Sequence, residues 1–296
     1  MAQQDQDTFS HGGSLRHGTG RRIDLRQWSA ACLTQRHGLP AGAAALTSSA
    51  SREDIMTDII LLTHVRHFIG PSAVRRLLQD GHAVVCHDMS FADPAQREGF
   101  LAEVPGAEAC AATEPAKLVE EVLTRFGRID ALVSNDPYPA VRAAVDEAEP
   151  EEFRRALEAM VVWPYTLIGR AAAAMKVRRA GRILIVSSAA PLTGIPNYSM
   201  YAIARGGANA MVPTLSKELA RWNIPVNAIA ANYIKNPDYF PPELLADAEA
   251  VAKMVKNIPL GRLGEPEEVA ELVALFAGGK CGFVTGHIVP IAGGWA

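Results

Sequence analysis

From residue 58 onward, short apolar runs alternate with longer stretches whose apolar positions recur at helical spacing. Ile59–Leu62 is the first run, four aliphatic residues without polar alternation, the signature of a strand buried on both faces. Helical spacing over Pro71 to Gln79 follows, then a second strand over Ala83 to Cys86. Asp93-Pro94 opens the next helix with proline in its first turn. A weak third strand near Ala107–Cys110 precedes a helix from Pro115 to Phe126, and Ile129–Val133 is the fourth strand. A long helix is predicted over roughly Glu151 to Lys176, bent or interrupted at Pro164. Gly181–Val186 is the fifth strand, and Ser199 is a plausible cap for a helix running to about Trp222 despite Pro213. Pro225–Ala230 is the sixth strand. Helices near Leu244–Lys256 and Pro266–Ala277 lead to a seventh at Ile288–Ile291.

Strands alternating with helices over some 240 residues imply a parallel sheet with helices on both faces and right-handed crossovers. The expectation is one α/β unit, a doubly wound Rossmann-like domain of seven strands spanning residues 57–296. Residues 1–56 lack any sustained apolar period and are rich in Gln, His, Gly, Ser, Ala and Arg. They read as a disordered or mis-assigned N-terminal extension, with Met56 an alternative start; a transit-peptide reading is opposed by the Gln/Asp-rich opening.

Composition narrows the partners. A formal net charge of −3 gives no reason to expect nucleic acid or an anionic membrane, and the short basic run Lys176–Arg179 reads as a solvated helix end. Cys32, Cys86, Cys110 and Cys281 lack metal or redox spacing, and Cys86 reads as a reduced core residue. The histidines at 64, 67, 82 and 87 share no ligand spacing, so no metal is expected. No apolar run reaches membrane-spanning length and no secretory signal is evident, which makes a soluble cytoplasmic protein the expectation.

The chemistry-bearing residues cluster after the fifth strand. Ser187 and Ser188 fall at its carboxyl end, where open α/β sheets place their ligand crevice. Tyr201 lies in the first turns of the next helix, and Arg205, four residues on, shares its face. The strand-end serine, the tyrosine thirteen residues later and the basic residue four beyond resemble the short-chain dehydrogenase/reductase superfamily over roughly residues 58 to 296. Ser134-Asn135, Asn227, Gly261–Pro266 and Gly293-Gly294 support the resemblance. The thirteen-residue spacing selects Ser188 over Ser187, and Tyr198 lacks a basic residue at i+4.

Three departures define the branch. The superfamily's glycine-rich first loop is here Thr63-His64-Val65-Arg66-His67-Phe68-Ile69-Gly70, with His64 and Phe68 at two of three glycine positions. A ring at 68 occupies space that a dinucleotide needs. Arg205 replaces the lysine of the redox members, a bulkier and permanently charged group. Met160 stands where those members carry a relay asparagine. Together with Cys86–Phe91, Ser134-Asn135-Asp136 and Asn232-Tyr233-Ile234, these features resemble the halohydrin (haloalcohol) dehalogenases, although Ala231 replaces a proline found in some members.

That resemblance implies conversion of a vicinal haloalcohol to an epoxide with release of halide and a proton, and the reverse opening of epoxides by small anions, with no cofactor. It assigns Tyr201 as base, Arg205 as the charge that acidifies it and Ser188 as the clamp on the substrate oxygen. Phe68 with Asn232, Tyr233 and Ile234 would form the halide pocket, Tyr239 and Phe240 are further candidates for lining the substrate pocket, and a homotetramer is the inherited assembly. Asp88, where a redox relative binds a ribose, reads as a cap or a retained scaffold residue. The alternative is an NAD(P)-dependent short-chain dehydrogenase/reductase with a degenerate glycine loop.

Overall fold

A computed structural model of the protein describes residues 57–296; the expected N-terminal extension, residues 1–56, lies outside them. The strands are β1 (Ile59–Leu62), β2 (Ala83–Cys86), β3 (Glu108–Ala109), β4 (Ala131–Ser134), β5 (Arg182–Ser188), β6 (Val226–Ala231) and β7 (Ile288–Ile291). Among the described residues they form one sheet in the order β3-β2-β1-β4-β5-β6-β7, with every pairing parallel. The order reverses between β1 and β4, which opens a crevice above their carboxyl ends.

Side-chain alternation divides the core into two layers. Ile59, Leu61, Leu132, Ile183 and Ile185 face one set of helices: α3 (Pro115–Phe126), α5 (Trp163–Arg178) and α7 (Ser199–Leu219). Ile60, Leu62, Val133, Leu184 and Val186 face α1 (Gly70–Gln79), α2 (Pro94–Glu103) and α10 (Pro266–Ala277). Cys86 lies in this second layer, fully buried, and burial raises its thiol pKa.

The remaining helices are α4 (Pro150–Leu157), α6 (Ala190–Thr193), α8 (Pro242–Ala246) and α9 (Ala248–Val255). Several expected boundaries move for identifiable reasons. The long helix around Pro164 is not broken. One wider π turn, Glu158–Val162, joins α4 to α5 just before the proline and accommodates its missing N–H. Strand β5 extends two residues further than expected, because Ser187 and Ser188 pair with Ala230 and Ala231 of β6. Tyr198, not Ser199, occupies the cap position of α7. Pro213 itself lies on that helix's exposed face, so its ring meets solvent rather than the core. The expected Leu244–Lys256 helix is split at Asp247, whose carboxylate caps α9 through the N–H groups of Glu249 and Ala250.

Candidate active site

A cavity of about 410 Å³ opens above the carboxyl ends of β5 and β6. Its walls bring together the catalytic and halide-site candidates Phe68, Ser188, Tyr201, Arg205, Asn232, Tyr233 and Ile234, with the lining candidates Tyr239 and Phe240.

Ser188 is buried as the last residue of β5, and its Oγ accepts the Ala190 N–H at 3.1 Å. Ser187 also reaches the cavity, but its hydroxyl donates to the Arg205 carbonyl at 3.4 Å. The i, i+4 spacing in α7 sets the Arg205 Cζ 5.3 Å from the Tyr201 ring centre. Arg205 is 4% exposed and donates through Nη1 to the Val186 carbonyl at 3.3 Å and through Nη2 to the Tyr239 hydroxyl at 3.4 Å. Burial by itself would raise the Tyr201 pKa. The Arg205 charge, with the polar side chains of Ser188, Arg205 and Tyr239, outweighs it and brings the phenol below its ordinary value. Burial and the neighbouring Tyr201 instead push Tyr239 up, so the two phenols part in opposite directions around one guanidinium. Met160 sits in the π turn, buried with Ala156 and Ala204 and with Tyr201 packed against it. An apolar side chain therefore backs the phenol.

The β1 loop keeps a glycine-like backbone without the glycines. His64 and Phe68 have φ of 47° and 49°, a left-handed conformation that non-glycine residues seldom adopt. Asn135 holds the loop, its Nδ2 donating to the carbonyls of His64 and His67 at 3.1 and 3.0 Å. The one retained glycine is needed for packing: a Cβ on Gly70 would lie 2.4 Å from the Val65 carbonyl oxygen. The Phe68 ring reaches the cavity and packs edge-on against Tyr239, 5.9 Å between centres.

These residues do not fit a dinucleotide. The Phe68 N–H, on the loop whose backbone would face a pyrophosphate, donates to the Asp238 carboxylate at 2.6 Å, and His67 Nδ1 lies 3.2 Å from the same group. An internal anion thus meets the loop donor, and the Phe68 ring fills the adjoining space. Asp88, at the end of β2, caps a single turn by accepting the Ser90 N–H and hydroxyl at 3.0 and 2.7 Å. After β4, Asp136 brings a second buried carboxylate to the crevice, bonded to Ser134 and to Thr63 and 2.9 Å from His64 Nδ1.

Most backbone donors of the Asn232–Ile234 segment are already engaged. The Asn232 N–H is engaged by the Ile291 carbonyl at 3.1 Å, and the Tyr233 N–H by Asn232 Oδ1 at 3.0 Å. The Ile234 N–H points away from its bridge to Gly264 and finds no backbone acceptor among the described residues. Three participants carried no role in the sequence reading. Tyr138 and Asp238 lie in irregular segments without a periodic signal, and Asp238 meets Phe68 only across 170 residues of chain. Asp136 was visible within Ser134-Asn135-Asp136, but its contacts to the β1 loop were not.

Comparison with known proteins places this geometry. A family model described as enoyl-(acyl carrier protein) reductase matches residues 66–296. The 3-oxoacyl-[acyl-carrier-protein] reductase FabG of Thermotoga maritima is 30% identical over 247 residues, covering 80% of this chain and 96% of that protein. A solved structure of a dehalogenation enzyme is 50% identical, with TM-score 0.79, over 81% of this chain and 98% of the other. A halohydrin dehalogenase, HheC, bound to ethyl (2S)-oxiran-2-ylacetate is 38% identical, with TM-score 0.77, over 80% and 96% of the two chains. Redox relatives share the fold, but the higher identities fall with the dehalogenases, whose branch was expected from His64, Phe68 and Arg205. The chain belongs to the halohydrin dehalogenases, a branch of the short-chain dehydrogenase/reductase superfamily.

Proposed function

We propose that residues 57–296 catalyse ring closure of vicinal haloalcohols to epoxides, with Tyr201 as the base. Phenolate at Tyr201 removes the alcohol proton, and Ser188 holds the oxygen in line for backside attack on the neighbouring carbon. The C–O bond forms as the carbon–halogen bond breaks, and the halide departs with the bonding pair toward Phe68 and the Asn232–Ile234 segment. The proton on Tyr201 then passes to solvent, so haloalcohol becomes epoxide plus halide plus proton. In reverse, Tyr201 protonates the epoxide oxygen while a small anion held at the halide wall opens the ring.

The observation that carries this reading is the Phe68 ring, on a glycine-type backbone, lining the same cavity as Ser188 and Tyr201. It supplies an apolar wall for a weakly hydrated anion where a nicotinamide would otherwise lie. The partner is a small molecule, and assembly as a homotetramer is part of the proposal. It is supported by exposed apolar residues on two long helices, Tyr165 and Val177 on α5 and Ile203 on α7. Among the described residues no helix is long and apolar enough to cross a membrane.

The test is release of chloride or bromide from a simple vicinal haloalcohol without added cofactor, beside calorimetric titration with NAD(H) and NADP(H). Halide release that Tyr201→Phe abolishes, with no micromolar dinucleotide binding, is the expected result. Tight dinucleotide binding with no halide release would instead favour the reductase reading.

A further inference from the structure

The Tyr239 hydroxyl stands at a junction that the reaction scheme leaves unused. It accepts from Arg205 Nη2 at 3.4 Å and donates to the Tyr138 carbonyl at 3.0 Å. Its ring packs edge-on against Phe68 on one side and Tyr201 on the other, at 5.9 and 6.2 Å between centres. The segment that carries it is tied down: Asn236 Oδ1 accepts the Tyr239 N–H at 3.0 Å, and Asn236 Nδ2 donates to the Ile234 carbonyl at 2.7 Å.

We propose that Tyr239 is the positioning residue of the catalytic base: its hydroxyl holds the Arg205 guanidinium against Tyr201, and the Tyr138 carbonyl keeps Tyr239 itself in the donor role. The inference rests on Tyr201 being the base.

Arg205 needs such a holder. Its Nε is buried without a partner among the described residues, and its remaining bonds, to Val186 and Tyr239, are both long. Loss of the Tyr239 bond leaves the fork anchored by one backbone carbonyl. Two phenols flank the cation, and both cannot ionise beside each other without repulsion. The Tyr138 carbonyl breaks that symmetry. A phenolate at Tyr239 would face a carbonyl oxygen, acceptor against acceptor, whereas Tyr201 lies beside the Arg205 guanidinium. The opposite directions of the two phenols agree with this division.

The carboxylates nearby are already engaged. The Tyr138 phenol donates to Glu152 Oε1 at 2.9 Å, and Glu152 pairs with Arg155 at 2.6 Å. Asp238 is shared by His67 and the Phe68 N–H. Two further phenols line the cavity: Tyr198, at the cap of α7, and Tyr233, which packs edge-on against Trp295 and whose pKa burial raises.

Tyr239→Phe keeps the ring packing and deletes the hydroxyl. The expected result is a drop in kcat/KM on the order of tenfold at neutral pH, the worth of a hydrogen bond to a charged group. That drop should shrink as pH rises, because the acid limb of the pH–rate profile moves to higher pH. The loss should fall on kcat more than on KM. An ultraviolet difference titration supplies the second readout: the first tyrosinate to form should vanish in Tyr201→Phe and form at higher pH in Tyr239→Phe. The limb position does not depend on how much of the variant folds. An unmoved limb, or a loss equal at every pH, would overturn the proposal while Tyr201→Phe remained inactive. An active Tyr201→Phe would overturn the choice of base itself.

Discussion

Arg205→Gln is the perturbation that most directly tests the acidified phenol. The guanidinium is 4% exposed, and its Cζ lies 5.3 Å from the Tyr201 ring centre. With that separation and an effective dielectric of about 20, a unit charge favours the phenolate by roughly 3 kcal/mol. Glutamine retains donors but removes the charge, so the barrier to proton removal should rise by a similar amount. That corresponds to a fall of about a hundredfold in kcat/KM for halide release at neutral pH. The loss should narrow toward alkaline pH, where the uncharged variant also reaches its phenolate. Arg205→Lys separates charge from shape. It keeps the cation but lacks the planar fork that reaches both the Val186 carbonyl and Tyr239, so its loss should be smaller, about tenfold. The assay is initial-rate halide release across pH, with circular dichroism to verify the fold. Activity in Arg205→Gln within threefold of the parent at every pH would refute the electrostatic argument.

Three further outcomes follow from the same geometry. Phe68→Gly should weaken halide as a product inhibitor by about tenfold, read from inhibition constants, and should not create a dinucleotide site, because Asp238 still holds the residue-68 N–H. The His67–Asp238 tie should be pH-sensitive. Its hydrogen bond to Asp238 raises the His67 pKa, while burial acting on Asp238 is outweighed by His67 and the Phe68 N–H, which lower it. The histidine's contribution is therefore fully present below the ordinary histidine value of about 6.5 and lost as pH rises through its raised pKa; the carboxylate's is lost only in acid. Thermal midpoints of the parent and His67→Gln should differ most near pH 5 to 6 and converge above neutrality; a constant difference would contradict the pairing. Asp130→Ala should cost roughly 3 kcal/mol in denaturant unfolding, because Ile59 N–H, Arg128 and Arg178 all converge on that carboxylate at 2.8 Å.

Regular elements and the local i, i+4 pair were legible because they depend on neighbours in sequence. The aliphatic run Ile59–Leu62 and the Tyr201/Arg205 spacing needed no long-range information to be read. Boundaries shifted where pairing decided them: Ser187 and Ser188 belong to β5 because β6 extends beside them. Pro164 illustrates a local rule overridden by a local alternative, since one π turn absorbs the residue that should have interrupted the helix. What stayed hidden was long-range and carried by loops. Asp238 against Phe68, Tyr239 against Arg205 and the Tyr138 carbonyl against Tyr239 join segments separated by 170, 34 and 101 residues. Nothing periodic marks such contacts, and the free donors of the Asn232–Ile234 segment could be narrowed only once the partners of Asn232 and Tyr233 were known.

The Phe68 position carries the divergence from the redox relatives further than a blocked site. A side chain at φ 49° is strained, so the conformation persists only where its surroundings over-determine it. Here Asn135 binds the loop carbonyls, Asp238 binds the Phe68 N–H, and Tyr239 packs on the ring. Asp238 and Tyr239 are adjacent in the segment after β6, which also lines the cavity. One short stretch of chain therefore braces Phe68 through residue 238 and the Arg205 guanidinium through residue 239. Substitution of Phe68 alone cannot restore a dinucleotide site, because the carboxylate that answers its N–H arrives from another segment. Reversion would require changes in both the β1 loop and the segment after β6. The Phe68→Gly/Asp238→Ala double variant tests that coupling: it should gain measurable dinucleotide affinity by calorimetry where neither single variant does. Equal affinity in Phe68→Gly alone would show that the ring, and not the internal anion, is the barrier.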